Sequence, residues 1–135
     1  MQKKLPLILL IDDDPDFTAM NKLMLESNGY RILCTHDSRE ALKKMAEDKP
    51  SLVITDLMMQ NLDSGFAFSR QMKQDPRFKD IPVIILTSVS SQHGFDFHPR
   101  SGEELSAMNA DAFFEKPISS KILLKKVEEL IKRNI

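Results

Sequence analysis

Five short apolar runs alternate with amphipathic stretches along the chain, and this alternation restricts the fold more than any other feature. The runs are LILLI (7–11), RILC (31–34), LVIT (52–55), VIIL (83–86) and AFF (112–114). Apolar residues are consecutive within each run, which is typical of strands that helices cover on both faces. The pattern predicts an α/β fold with a parallel sheet and right-handed crossovers.

The stretches between the runs carry helical patterns. Asp14, Pro15 and Asp16 suit the start of a helix, as a cap, a first helical residue and an acid near the positive end of the helix dipole. The expected buried positions are Phe17, Met20 and Met24 in the first helix, Ala41, Leu42 and Met45 in the second after a cap at Ser38, Phe68 and Met72 in the third, and Leu123, Val127, Leu130 and Ile131 in the last, which starts at Ser119.

Composition excludes several classes of protein. The chain has 135 residues with 19 basic and 20 acidic side chains, so no overall field attracts nucleic acid or an anionic membrane. No apolar stretch approaches the roughly 18 residues of a membrane span. Cys34 is the only cysteine, which excludes an intrachain disulfide and fits a reducing compartment. We therefore expect a cytoplasmic protein whose residues 1–135 form a single domain.

Chemically distinctive residues follow four of the five apolar runs. They are Asp12, Asp13 and Asp14 after the first run, Asp56 after the third, Thr87 after the fourth and Lys116 after the fifth. Because the carboxyl ends of parallel strands meet at one edge of a sheet, these side chains are expected to converge there.

This set of side chains suits phosphoryl transfer. Asp13 and Asp56 offer the carboxylate oxygens that Mg²⁺ prefers, and Asp56 is placed to act as a nucleophile. Thr87 can donate a hydrogen bond to a phosphoryl oxygen, and Lys116 can offset the added charge. Alignment, a metal ion and positive charge are the main requirements of this reaction.

The order of four motifs identifies a resemblance that covers essentially the whole chain. IDDDP (11–15), TDLMMQNLDSG (55–65), PVIILTS (82–88) and ADAFFEKP (110–117) closely resemble the receiver domain of bacterial two-component response regulators. The resemblance implies a flavodoxin-like fold, with five parallel strands in the order 2-1-3-4-5 and about five helices. It also implies phosphorylation by a histidine kinase or a histidine phosphotransfer protein.

The resemblance assigns roles residue by residue. It implies that Asp56 is the phosphoacceptor, that Thr87 and Phe113 are the switch residues, and that Lys116 is the lysine of the site. The implied Mg²⁺ ligands are Asp12, Asp13, Asp56 and the backbone carbonyl of Met58. The resemblance implies a signalling domain with an unknown downstream protein target and no catalysis beyond its own phosphorylation and dephosphorylation. From the balanced charge and the short apolar runs we expect no direct contact with nucleic acid and no membrane insertion.

Three departures from the family pattern affect the loops. Gln60 stands where the family usually has proline, and LDSG (62–65) is one residue longer than the usual turn. Segment 88–111 is longer than usual and holds one short helical candidate, 101–108, which would replace or displace the family's fourth helix. Because long loops in compact domains are usually functional or mobile, this segment is expected to tune the choice of partner.

Two other functions are compatible with parts of the sequence. Asp14, Asp16 and Thr18 fit the D-x-D-x-T spacing of haloacid-dehalogenase-type phosphatases, which also use an aspartate nucleophile and Mg²⁺. Gln60 and the altered loop are compatible with a degenerate receiver that acts as a constitutive interaction module. The leading expectation is a stand-alone phosphorylatable switch, because no output domain follows Ile135 in this sequence.

Overall fold

The computed structural model describes residues 5–56, 64–87, 110–115 and 118–133, with the side chains of all but 64–67, 87 and 133. The elements in chain order are β1 (Leu7–Ile11), α1 (Pro15–Glu26), β2 (Arg31–Thr35), α2 (Ser38–Glu47), β3 (Leu52–Asp56), α3 (Ser64–Gln74), β4 (Val83–Thr87), β5 (Ala112–Glu115) and α4 (Ser120–Arg133).

The five strands form one parallel sheet in the order β2-β1-β3-β4-β5, which confirms the predicted fold and strand order. Four helices lie in the part of the chain that the structure describes, and the candidate helix at 101–108 falls outside it. None of these four helices combines the length and apolar character that a membrane crossing requires.

Side chains on the two faces of the sheet pack into two separate hydrophobic cores. The first core lies against α2 and α3 and includes Leu9, Ile11, Met45, Val53, Phe68, Met72, Val83 and Ile85. The second core lies against α1 and α4 and includes Ile8, Leu10, Leu25, Leu52, Ile54, Ile84, Leu86, Leu123 and Val127. Burial on both faces is the physical reason that apolar residues are consecutive in each strand.

The buried face of α1 differs from the predicted one. Met20 was expected in the core but is 56% exposed, whereas Thr18, Asn21 and Leu25 are buried. The Thr18 hydroxyl donates to the Asp14 carbonyl at 2.8 Å, and the Asn21 amide donates to the Phe17 carbonyl at 2.8 Å. Because these polar groups form hydrogen bonds within the helix, their burial carries no unpaired-donor penalty and the helix can turn Met20 outward.

The residues that cap the helix starts agree with the prediction for α1 and α4 and differ from it for α2. The Asp14 carboxylate caps α1 by accepting from the backbone of Asp16 and Phe17, and the Ser119 hydroxyl accepts from the Lys121 backbone at the start of α4. The cap of α2 is Asp37 and not Ser38, because the Asp37 carboxylate accepts from the Glu40 backbone at 2.8 Å and leaves Ser38 as the first helical residue.

Candidate functional site

Three aspartates meet at the carboxyl edge of the sheet. Asp12 and Asp13 follow β1, and Asp56 ends β3. β1 and β3 are hydrogen-bonded neighbours in which Ile11 pairs with Thr55, so the residues that follow these two positions lie side by side. One carboxylate oxygen from each aspartate lies within 4.8 Å of the others. The structure thus brings together the three acids that the sequence predicted to converge.

The three carboxylates have different surroundings. Asp12 is 1% exposed, Asp56 is 9% exposed and Asp13 is exposed. The Asp12 backbone N–H donates to the Thr35 carbonyl at 3.2 Å, and its side chain accepts from the Asp14 backbone at 2.9 Å. Asp12 therefore also holds the turn between β1 and α1, while Asp13 lies at the open side of the cluster.

The donor set fits a hard divalent cation. Two carboxylates 4.8 Å apart repel by about 3 kcal/mol at an effective dielectric of about 20, and a cation relieves that repulsion. All the clustered groups are carboxylates, and oxygen ligands suit Mg²⁺ better than zinc, which favours nitrogen and sulfur. The exposed Asp13 leaves an open side for the water or phosphate ligands that Mg²⁺ usually keeps.

Asp14 and Asp16 belong to the helix and not to the cluster. The Asp14 carboxylate accepts from the Asp16 and Phe17 backbone N–H groups at 3.0 and 3.4 Å, and the Thr18 hydroxyl bonds the Asp14 carbonyl. The spacing that resembles a phosphatase motif is therefore the first turn of α1. Asp14 lacks the strand-end position that a nucleophile of that class occupies.

The other predicted site residues are placed as follows. Thr87 ends β4 at the same sheet edge, one residue beyond Leu86, which pairs with Asp56. Phe113 lies in β5 opposite Ile85 and packs, half-buried, against the first core. Met58 and Lys116 lie outside the described residues, as do Gln60 and most of segment 88–111.

Thr35 was missed at the sequence level. It is fully buried at the end of β2, and its carbonyl receives the Asp12 backbone N–H. The only signal was a polar residue after the run RILC, and a threonine at a strand end is too common to indicate a supporting role.

Comparison with known families decides the class. The family model of the response regulator receiver domain matches residues 8–128. The chain belongs to the response regulator receiver domain family. As a receiver domain it is part of two-component signalling, and the resemblance seen in the four motifs is confirmed.

Two curated relatives show the extent of this similarity. The receiver domain is 31% identical over 126 residues to the protein PilH of Pseudomonas aeruginosa, covering 92% of this chain and 96% of PilH. It is 31% identical over 134 residues to the alkaline phosphatase synthesis transcriptional regulatory protein PhoP of Bacillus subtilis, covering 99% of this chain. The chain spans about half, 50%, of that regulator's length.

Solved structures agree with the fold. The receiver domain of a signal transduction histidine kinase from Syntrophus aciditrophicus has a TM-score of 0.77 and 31% identity, covering 94% of this chain and 90% of that one. The chemotaxis response regulator CheY4 of Vibrio cholerae has a TM-score of 0.78 and 25% identity, covering 94% of this chain and 99% of that one.

Proposed function

We propose that Asp56 accepts a phosphoryl group from a histidine kinase or a histidine phosphotransfer protein, and that residues 1–135 form one domain with this function. The observation that carries the proposal is the cluster of Asp12, Asp13 and Asp56, whose carboxylate oxygens lie within 4.8 Å of one another at the carboxyl edge of the sheet. Family membership supports it, because the family model covers all three aspartates and the sequence resemblance assigns them to the acidic motifs of the receiver pattern.

The same three aspartates would hold Mg²⁺, and the family resemblance adds the backbone carbonyl of Met58. When bound, the ion supplies positive charge that offsets carboxylate repulsion and the charge on the phosphoryl oxygens. Asp12 anchors the cluster through its bonds to the Thr35 and Asp14 backbones.

In the proposed reaction, an Asp56 carboxylate oxygen attacks the phosphorus of an N-phosphorylated donor imidazole. A new O–P bond forms as the P–N bond breaks, the electron pair of that bond stays on the leaving nitrogen, and the nitrogen takes a proton from solvent. The carboxylate itself is the nucleophile, so the step needs no separate base. The resemblance assigns Lys116 to offset the added charge and Thr87 to donate to a phosphoryl oxygen.

The consequence we propose is a change of the partner-binding surface. Phosphorylation adds charge at the end of β3, next to β4, which ends in Thr87. Phe113, half-buried on the neighbouring β5, is the aromatic that would change position as Thr87 moves. Such local electrostatic events bias a two-state element and thereby affinity for a protein target. Segment 88–111, which follows Thr87, would tune the choice of that target.

Intact-protein mass spectrometry with phosphoramidate as the donor tests the proposal. In the presence of Mg²⁺ the wild-type protein should gain the mass of one phosphoryl group, and Asp56→Asn should gain none. Asp16→Asn is the matched control, because it removes an exposed acid near the cluster without removing one of its three members. This variant should be phosphorylated like the wild type.

Three outcomes would count against the proposal. A wild type that gains no mass and binds no Mg²⁺ would be the degenerate receiver. A gain that persists in Asp56→Asn would place the acceptor elsewhere. Continuous hydrolysis of p-nitrophenyl phosphate would favour the phosphatase alternative, although Asp14 is engaged in capping α1.

A further inference from the structure

A hydrogen-bonded pair lies at the amino edge of the sheet, opposite the acidic cluster. Asp111 immediately precedes β5, and its backbone N–H donates to the carbonyl of Val83, the first residue of β4, at 2.8 Å. The Asp111 carboxylate accepts the Val83 N–H, also at 2.8 Å. One residue thus satisfies both backbone groups of Val83, and its side chain takes the place of a strand carbonyl.

Lys73 joins a third segment to this contact. It lies in the last turn of α3, and its ammonium is 3.2 Å from Asp111 Oδ2 and 2.9 Å from the Ile81 carbonyl. The two side chains are only 24% and 23% exposed, so solvent screens the ion pair less than it would a surface pair. The pair therefore ties the end of α3, the connection to β4 and the start of β5 together.

This contact supplements packing in fixing the register of β5. β5 has four residues, lies at the edge of the sheet and pairs with β4 from Ala112 opposite Ile84 to Glu115 opposite Thr87. A slip by one residue would shift the strand by about 3.3 Å and move each side chain to the other face. A slip in one direction would still place a phenylalanine, Phe114, against the first core, but it would bring Glu115 to the place of Phe114 against the second core. The bonds of Asp111 to Val83 therefore add to packing in opposing the slip.

We infer that Lys73 and Asp111 are positioning residues for the acidic site: they help to fix the register of β5 on β4, and with it the position of Phe113 and of Glu115 opposite Thr87. The functional part of this inference rests on the proposed phosphorylation of Asp56. The clustered carboxylates follow β1 and end β3, so the pair acts on the part of the site that β5 supplies and not on the metal ligands.

Lys73→Met and Asp111→Ala test the inference. We expect faster amide hydrogen exchange at 112–115, unchanged Mg²⁺ affinity, and a phosphorylation rate constant with phosphoramidate that is about tenfold lower, because small displacements of aligned groups have large effects on rate. Lys73→Arg, which keeps the positive charge, should retain the wild-type phosphorylation rate constant. Asp111→Asn, which keeps an oxygen for the Val83 N–H but loses the charge, should be intermediate.

Lys126→Met is the matched control, since it breaks another 3.2 Å ion pair, with Glu129 on α4, and should leave all three measurements unchanged. Unchanged exchange at 112–115 in Asp111→Ala would overturn the inference. So would Mg²⁺ affinity and phosphorylation falling together, which would indicate a general loss of folded protein. A wild-type protein that is never phosphorylated would refute the proposed function. The amide hydrogen exchange at 112–115 would still show whether Lys73 and Asp111 hold β5 on β4.

Discussion

At the scale of single residues, two buried threonines are expected to contribute unequally to the stability of the fold. Thr35 and Thr55 pair with Ile11 from opposite sides, and both are fully buried. The Thr55 hydroxyl donates to the Asp56 carbonyl at 3.1 Å. The Thr35 hydroxyl has no hydrogen-bond partner within the part of the chain that the structure describes. A buried hydroxyl without a partner costs about 1–3 kcal/mol.

Replacing each hydroxyl by a methyl group should therefore have opposite effects. Thr35→Val is expected to raise the free energy of unfolding by about 1 kcal/mol, and Thr55→Val to lower it by about 1 kcal/mol. Urea denaturation of both variants beside the wild type measures the difference. Destabilisation of similar size in both would contradict the assignment of an unpaired hydroxyl to Thr35.

Cys34 offers a second test at this scale. It lies half-buried in β2 and packs against the second core. Burial raises the pKa of the Cys34 thiol, Glu26 adds to the rise and Lys22 opposes it. A raised pKa lowers the thiolate fraction, and only the thiolate is the reactive nucleophile. Near the ordinary thiol pKa of about 8.5, iodoacetamide should thus alkylate the native protein more slowly than the urea-unfolded protein. Equal rates would contradict the burial effect.

At the scale of elements, the acidic run after β1 divides between a helix cap and a cluster. Asp14→Ala should lower the free energy of unfolding by about 1 kcal/mol, because α1 loses the carboxylate that accepts from Asp16 and Phe17. Mg²⁺ affinity should change little, since Asp14 is not one of the clustered acids. Thermal unfolding and calorimetric titration with Mg²⁺ measure the two quantities. A large loss of Mg²⁺ affinity would place Asp14 in the metal site.

The sequence predicted the elements well where burial alone determines them. Each strand begins at the first residue of its apolar run. β1 also ends with its run, and the other four strands extend one residue further. The agreement is close because helices cover both faces of the sheet, so that apolar residues occupy nearly the whole strand. The predicted buried face of α1 was wrong at Met20. Thr18 and Asn21 form their hydrogen bonds inside the helix, so these two polar residues can be buried in its place. Helix propensity and side-chain polarity alone do not predict that hydrogen bonds within the helix will compensate for the burial of a polar residue.

The candidate site divides in a similar way. Strand ends are visible in the sequence, so the convergence of Asp12, Asp13 and Asp56 was predictable, whereas the adjacency of β1 and β3 came only from the family resemblance. The contact between Lys73 and Asp111 joins residues 38 positions apart. It depends on where α3 ends relative to β5, which no local pattern specifies.

At the scale of the whole molecule, the two edges of the sheet carry different tasks. The carboxyl edge holds repelling carboxylates, and the amino edge holds the pair of Lys73 and Asp111. Repulsion at the carboxyl edge destabilises the protein without a cation, so ligand binding and stability are linked.

Magnesium should consequently stabilise the whole fold. At a free concentration about 100 times its Kd, Mg²⁺ should raise the free energy of unfolding by about 2.7 kcal/mol. Asp13→Asn should abolish this gain while leaving the metal-free protein at least as stable as the wild type, because Asp13 is exposed and its charge adds to the repulsion. Urea denaturation with and without Mg²⁺ measures both effects. An equal gain in Asp13→Asn would exclude Asp13 as a ligand.

The central claim is that Asp56 is the phosphoacceptor, and locating the phosphoryl group tests it most directly. After reaction with phosphoramidate and Mg²⁺, borohydride reduces an aspartyl phosphate to homoserine, and peptide mass spectrometry identifies the changed residue. We predict homoserine at position 56, dependent on Mg²⁺. Homoserine at Asp12 or Asp13, or an unchanged peptide containing Asp56 in protein that has gained a phosphoryl group, would contradict the claim.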